Sequence, residues 1–359
     1  MREHGQRPGG HQEAPATQLD CFWYIVARSR DLGSAPLERR VNGRRLALFR
    51  DGSGRAVALD ARCPHRGANL AHGRVEDGYL ACPYHGWRWD GAGRCRRIPS
   101  APPDLPVPSS FVTTSYPVIE QQGFLWVLPG VRAAAPPPVF PELDEIDLHP
   151  FFCEEVVDAP FDWWVENSFD IAHVPYVHGR TFGGENSART RRGVEWLPGE
   201  TSELAFRARA VTGQQQSLLT RLLHRSAPHH EIRPGVRFHM PGTVIFDTDL
   251  GGGRRQVLFF LATPEDGRRT RIWIGLLRNY LRVPLADTVG RWLLRMLIRE
   301  DVTLARASVT RISLEQNPRF NCGADLPSVE FLRLLRLWRA REGIDPVRPV
   351  AGAGSSSAP

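Results

Sequence analysis

The chain of 359 residues contains no lysine, so all 46 basic residues are arginine. Complete replacement of one cation by the other reads as coding bias in a GC-rich genome, not as function. Long basic runs are missing as well, although the formal net charge is +7. The densest spots are "RTRR" from Arg189 and "RRTR" from Arg268. That pattern fits a solvated surface with a docking patch for an acidic partner better than a nucleic-acid stripe, so no nucleic acid is expected. No apolar run approaches the ~18–20 residues of a membrane span. The opening "MREHGQRPGGHQEAPATQ" has no apolar core and so does not read as a secretory signal. Six cysteines in 359 residues are few. A cytoplasmic protein in a reducing compartment, with no membrane, is the expectation, and a disulfide framework is disfavoured.

Two of those cysteines lie close to two histidines in "CPHRGANLAHGRVEDGYLACPYHGW". Cys63-x-His65 and Cys82-x-x-His85 form two short clusters. Their residue types admit a disulfide pair, a tetrahedral zinc site, or a two-iron, two-sulfur cluster with two Cys on one iron and two His on the other. Zinc ribbons use tighter Cys-x-x-Cys pairs, which argues against the second.

The surrounding sequence divides by composition. Residues 1–17 read as a flexible lead-in. Residues 18–130 alternate apolar and polar residues in short runs broken by turn signals, as in "RRLALFRDGSGRAVALDARC", and read as an all-β domain. The proline-dense stretch 131–150 reads as a linker. Residues 151–345 form a second domain of mixed pattern, an α+β unit. A Trp-rich helical segment opens it, strand-like runs fill 200–281, and a helix covers 286–312 with Val289, Leu293, Met296, Leu297 and Ile298 among its apolar positions. The tail 346–359 is low in complexity and reads as disordered.

Both cluster spacings, the proline after each Cys and the all-β context resemble the Rieske [2Fe-2S] domain. The resemblance implies that Cys63 and Cys82 hold one iron and His65 and His85 the other. Respiratory-type Rieske proteins carry an additional Cys in each loop, where this chain has Ala68 and Tyr84. The cluster therefore resembles the lower-potential type of oxygenases and their ferredoxins. Cys21, Cys95, Cys153 and Cys322 read as structural.

In the second domain, "ENSFDIAHVPYVH" contains Asn167, Asp170, His173 and His178. Residues five apart lie 140° apart on an ideal helix, so two ligands at His173 and His178 require a bend or an end near Pro175. The segment resembles the iron motif of the Rieske non-haem iron oxygenases, and the chain resembles that family over about residues 20–340. That resemblance implies a helix-grip catalytic domain and a mononuclear Fe(II) held by His173, His178 and a late carboxylate. Asp301 in "REDVTLA" is the choice, with Glu300 and Glu315 as rivals. It also implies catalytic roles for Asp170, placed between cluster and iron, and for Asn167. A homotrimer would bring each cluster to a neighbour's iron. Hydroxylation or oxidative demethylation of an apolar, aromatic or polycyclic small molecule by O2 is the implied reaction. The chain has no Gly-rich dinucleotide fingerprint and no plant-type ferredoxin spacing. A separate NAD(P)H-dependent reductase or ferredoxin must then supply electrons. The pocket wall is expected within residues 200–281, where Phe206, Phe238, Met240, Phe246, Phe259, Phe260, Trp273 and Tyr280 are candidates, most of them reading as packed core instead of lining. The alternatives are a Rieske electron carrier whose second domain only binds a ligand or partner, and a zinc-stapled binding protein.

Overall fold

The computed structural model describes residues 19–102, 104–178, 195–211, 234–307 and 321–344. Three small antiparallel sheets make up the first part. β1 (Tyr24–Arg28), β11 (Phe124–Val127) and β10 (Val118–Gln121) form one. β2 (Leu37–Val41), β3 (Arg44–Arg50), β4 (Ala56–Asp60) and β9 (Ser115–Tyr116) form the second. The third, β5 (Arg74–Glu76), β6 (Tyr79–Ala81), β7 (Arg88–Trp89) and β8 (Cys95–Arg97), carries the Cys82 loop between β6 and β7. The expected all-β unit is present. The proline-dense stretch 131–150 packs closely against it. Phe140 and Leu148 are buried, the side chain of Gln122 bonds both the N–H and the carbonyl of Phe140, and His149 and Pro150 already belong to the next strand.

That strand, β12 (His149–Val157), is one edge of a seven-stranded antiparallel sheet. Next to it come β18 (Thr270–Arg278), β17 (Arg254–Pro264), β16 (Thr243–Gly251), β15 (Gly235–His239), β14 (Ala205–Val211) and, at the other edge, β13 (Glu195–Thr201). Alternation along β17 explains how the sheet is held from both sides. Val257, Phe259 and Leu261 share a core with Ile25, Phe124 and Trp126 of the first part. Leu258, Phe260 and Ala262 face the other way, toward the helices. With both faces covered, β17 needs apolar residues at consecutive positions, which is why "VLFFLA" shows no polar side.

Helix α1 (Phe161–Phe169) packs on β16 and β17, and the 24-residue α3 (Pro284–Ala307) packs along β12. Leu294 and Ile298 of α3 meet Phe151, Cys153, Ile272 and Ile274. Val289 instead lies on the exposed face with Leu285 and Trp292. Gly290 permits the close approach of helix to strand, because a Cβ there would lie 2.5 Å from Phe151 Cζ. Residues 308–312 of the expected helix lie outside the described residues.

The two parts are bound together by more than the linker. Helix α4 (Leu326–Arg341) buries Phe331, Leu332, Leu334 and Leu335 in a core shared with Leu19, Phe22 and Tyr24. Trp338 meets Phe22 edge-on at 5.0 Å, and Glu342 accepts the N–H groups of Asp20 and Cys21 at 2.9 and 2.8 Å. The Thr263 hydroxyl donates to the Ile25 carbonyl, and the Asn42 and Gly43 N–H groups donate to Pro264 and Glu265. The lead-in 1–17 and the tail 346–359 lie outside the described residues.

Candidate functional site

The loops of Cys63 and Cys82 repeat one backbone design. In the first, Cys63 N–H donates to Ala68 O and Gly67 N–H donates to Cys63 O, both at 2.8 Å. In the second, Cys82 N–H donates to Trp87 O at 2.8 Å and Gly86 N–H to Cys82 O at 3.0 Å. Each turn closes on a glycine four residues after the Cys, at φ +73° and +69°, a region that costs glycine little. This common turn places both sulfurs inward. Cys63 and Cys82 are buried, while His65 is exposed and His85 half-buried. The two imidazoles are 4.7 Å apart between ring centroids. Burial pushes the Cys63 thiol up to about 11, and the Cys82 sulfur adds to the rise. Such thiols are not free nucleophiles; they deprotonate on binding metal. The donor set, two inward sulfurs beneath two outward imidazoles, suits a cluster with one buried and one outward iron.

His72 stands apart from these loops, exposed beside Asn69 and Glu38. Cys95 and Cys153 are buried and Cys21 half-buried, consistent with structural roles, whereas Cys322 is exposed.

A second donor set lies between α1 and α3. Helix α1 stops at Phe169, and Asp170 turns the chain by accepting the N–H groups of Ala172 and His173 with one oxygen, at 2.9 and 3.2 Å. A short helix α2 (Val174–Val177) follows, with His173 at its N-cap and His178 at its C-cap. The required break therefore falls at Asp170–His173, and Pro175 opens the second helix, where its missing N–H is harmless. Both imidazoles turn toward α3. His173 Nε2 and His178 Nε2 are 3.3 Å apart, and Asp301 Oδ1 lies 3.5 and 3.2 Å from them. Donors ~2.1 Å from one ion and at right angles would be about 3.0 Å apart, so the spacing fits one face of a metal's coordination shell. Asp301 Oδ1 is buried and has no hydrogen-bond partner, which is costly unless a cation joins it.

Electrostatics agree. Burial pulls the His173 imidazole down, but the Asp170 and Asp301 carboxylates outweigh it and carry the group up to about 9. Burial pushes Asp301 up, and His173 and His178 more than offset that, holding it below the usual carboxylate range. The three groups form a site that holds positive charge. Glu300 is not among them: its Oε2 is 2.7 Å from His178 Nδ1, the far side of the ring. Asn167 is in the last turn of α1, where its carbonyl accepts the Asp170 N–H at 3.3 Å. Glu315 lies outside the described residues.

Of the proposed wall residues, Phe206, Phe238, Met240, Phe246 and Phe260 belong to the helix side of the sheet. Phe259 and Trp273 face the first part of the chain and cannot line a chamber on the helix side. Tyr280 is half-buried and donates to Gln256 Oε1 at 2.7 Å. Sequence reasoning noted Gly86 and Trp87 only as the residues that follow His85, and passed over Gly67. The shared Cys-to-Gly spacing of four was the available signal for the two glycines.

Both parts of the chain are similar to known proteins. Residues 22–117 match the Rieske [2Fe-2S] domain, and residues 157–341 match the vanillate O-demethylase oxygenase C-terminal domain. The 4beta-methylsterol monooxygenase of Methylococcus capsulatus is 31% identical over 355 residues, 89% of this chain and 88% of that protein. The aminopyrrolnitrin oxygenase of Pseudomonas fluorescens is 36% identical over 183 residues, and there the chain spans only 49% of the relative's length. The crystal structure of dicamba monooxygenase bound to 3,6-dichlorosalicylic acid superposes with a TM-score of 0.80 at 26% identity, covering 92% of this chain and 100% of the other. The chain belongs to the Rieske non-haem iron oxygenases, enzymes that carry a [2Fe-2S] cluster and a mononuclear non-haem iron.

Proposed function

We propose that this chain is an oxygenase component that uses O2 and electrons from a separate NAD(P)H-dependent reductase or ferredoxin to hydroxylate, or oxidatively demethylate, an apolar polycyclic or aromatic small molecule. The observation that carries the reading is the convergence of His173, His178 and Asp301 at 3.2–3.5 Å on a chain that also has the Cys63/His65/Cys82/His85 loops. The iron, when bound, supplies activation of O2. His173, His178 and Asp301 would hold it from one side and leave the opposite side open to substrate. Cys63, Cys82, His65 and His85 would hold the cluster.

The apolar substrate class rests on the side chains of the helix side of the sheet. Phe206 and Phe238 are packed there against Phe169 and Phe331, while Leu258 and Phe260 are only half-buried, with no charged residue among them. Such a surface excludes water and has nothing to pair with a charged ligand. The similarity to an enzyme named for a methylsterol favours a methyl group on a rigid apolar skeleton.

Asp170 would bridge the cluster of one chain and the iron site of the next in a homotrimer, as part of the path for the electron. Its side chain remains 44% exposed, and its second oxygen is 3.6 Å from His173 Nδ1, which is buried without a hydrogen-bond partner. That oxygen can tighten onto His173 while the exposed edge accepts the cluster imidazole His85 of a neighbour. A closed ring of three satisfies every such contact.

The test is metal analysis with electron paramagnetic resonance of the dithionite-reduced protein, followed by turnover with a surrogate reductase. Three irons per chain, a Rieske signal and product formed from methylated polycyclic or aromatic compounds are expected. Two irons per chain with no O2 uptake would leave only the electron-carrier reading. Colourless protein holding zinc would exclude both.

A further inference from the structure

Asp301 and Glu300 are consecutive on α3, and consecutive helical residues diverge by about 100°. Their carboxylates accordingly leave the helix in different directions. They nevertheless meet the same ring. Asp301 Oδ1 is 3.2 Å from His178 Nε2, while Glu300 Oε2 is 2.7 Å from His178 Nδ1. The two nitrogens of an imidazole point to nearly opposite sides, so the ring is gripped from both ends by one helix. Only the Nε2 end shares its space with His173 Nε2, at 3.3 Å. Glu300 therefore cannot join the same ion without displacing the ring that separates them.

We propose that Glu300 is the positioning residue for His178: it accepts the Nδ1–H, fixes the tautomer that leaves the Nε2 lone pair free, and sets the ring's angle toward the iron. This inference rests on the reading of His173, His178 and Asp301 as the iron donors. His178 is 5% exposed in its side chain, so its Nδ1–H needs a protein acceptor, and an acceptor with negative charge strengthens the bond. A carboxylate there also makes Nε2 a better donor to a metal.

The two imidazoles are held unequally. His173 Nδ1 is 3.6 Å from Asp170 Oδ2, beyond hydrogen-bond reach, and Asp170 is partly exposed. His178 is bonded at 2.7 Å to a residue of the same helix that supplies Asp301. The geometry makes His178 the fixed arm of the site and His173 the adjustable one. Glu300 should then govern metal retention, separately from any part Asp170 plays in electron transfer.

The experiment uses the full-length protein, stripped of mononuclear iron with the cluster intact and titrated anaerobically with Fe(II) against a competing chelator. Glu300→Ala should weaken iron binding about ten- to a hundredfold. Glu300→Gln should stay within about threefold of wild type, because its amide oxygen accepts the same bond. The nitric-oxide adduct of the ferrous site gives a second readout: its high-spin resonance should change shape in Glu300→Ala and recover in Glu300→Gln. The Rieske signal should be unchanged in both. If Glu300→Ala does not accumulate, Glu300→Met has similar length, no oxygen acceptor and the same expected loss. Wild-type affinity in Glu300→Ala or Glu300→Met would overturn the proposal, as would equal losses in the Ala and Gln variants. Retention of iron by Asp301→Ala together with its loss from Glu300→Ala would make Glu300 the ligand and also overturn it. If the wild-type chain takes up no iron beyond its cluster, both readings fall together; if it does and Glu300→Ala matches it, only the role of Glu300 falls.

Discussion

The His65 ring lies flat on the indole of Trp87, with centroids 4.3 Å apart and planes 10° apart, and Trp87 stacks in turn on Phe111 at 5.3 Å. One cluster imidazole thus has an apolar floor although its other face is open. A Rieske cluster with two thiolates and two neutral imidazoles is uncharged when oxidised and singly negative when reduced. Water admitted beside it stabilises the reduced form. Trp87→Ala should therefore keep its colour and raise the cluster potential, while Trp87→Phe, which keeps a flat ring, should move it less. Potentiometric titration followed in the visible spectrum decides this, and an unaltered potential in Trp87→Ala would refute the shielding role.

Replacement of His173, His178 or Asp301 by Ala should lower iron from three toward two per chain and abolish oxygenation. The Rieske resonance should survive, because the two donor sets are built on separate loops and helices. Full iron content and activity in Asp301→Ala would show that another carboxylate completes the site.

Away from the iron, Arg278 donates to Asp287 Oδ1 at 2.7 Å, and Asp287 Oδ2 is 2.8 Å from His149 Nε2. Both Arg278 and Asp287 are buried. Arg278→Met removes one partner of a buried pair and should cost about 3–5 kcal/mol, measured by urea unfolding at neutral pH. Burial pushes Asp287 up, but His149 and Arg278 outweigh it and depress its pKa. For a carboxyl depressed on folding, the stabilisation is complete above the unfolded value of about 3.9 and is lost as pH falls through the folded one. The gap between wild type and Asp287→Asn should accordingly narrow below about pH 4. A gap that widens on acidification would contradict the assignment.

Gly290→Ala should force α3 away from Phe151, since the new Cβ would begin 2.5 Å from the ring. Overpacking of this kind costs about 1–3 kcal/mol. Asp301 is on the same helix, so iron occupancy should fall along with the melting temperature while the cluster is retained. Unchanged iron and unchanged melting would mean that the ring simply rotates aside.

Much of this was legible because it is local. The two cluster loops are set by spacings of a few residues, and the His173/His178 pair announced a break, although the chain makes it at Asp170 and Pro175 falls inside the helix that follows. What was hidden depends on contacts distant in sequence. The stretch 131–150 has the composition of a free linker, yet Phe140 is held by Trp126 and Phe259, which are remote from it in the chain. Val289 fits the apolar period of α3 but lies outside the stripe that β12 covers, and periodicity cannot say which face meets a strand. Phe259 and Phe260 are adjacent and equally apolar, so only the pairing of β17 with its neighbours assigned one to each side. Glu300 and Asp301 could not be ranked from their order; the two ends of the His178 ring separated them.

The core that joins Leu19, Phe22 and Tyr24 to Phe331 and Leu335 has a thermodynamic consequence. Each part also has a core of its own, but packing shared across the boundary couples them, so the part with the cluster loops and the part with His173, His178 and Asp301 should melt as one cooperative unit. Bleaching of the cluster and loss of helix signal should follow a single curve on heating. An excised cluster domain, stripped of α4, would expose Phe22 and Tyr24 to water and aggregate. Exchange of cluster-loop modules between relatives would then succeed only if the last helix travels with the first strand.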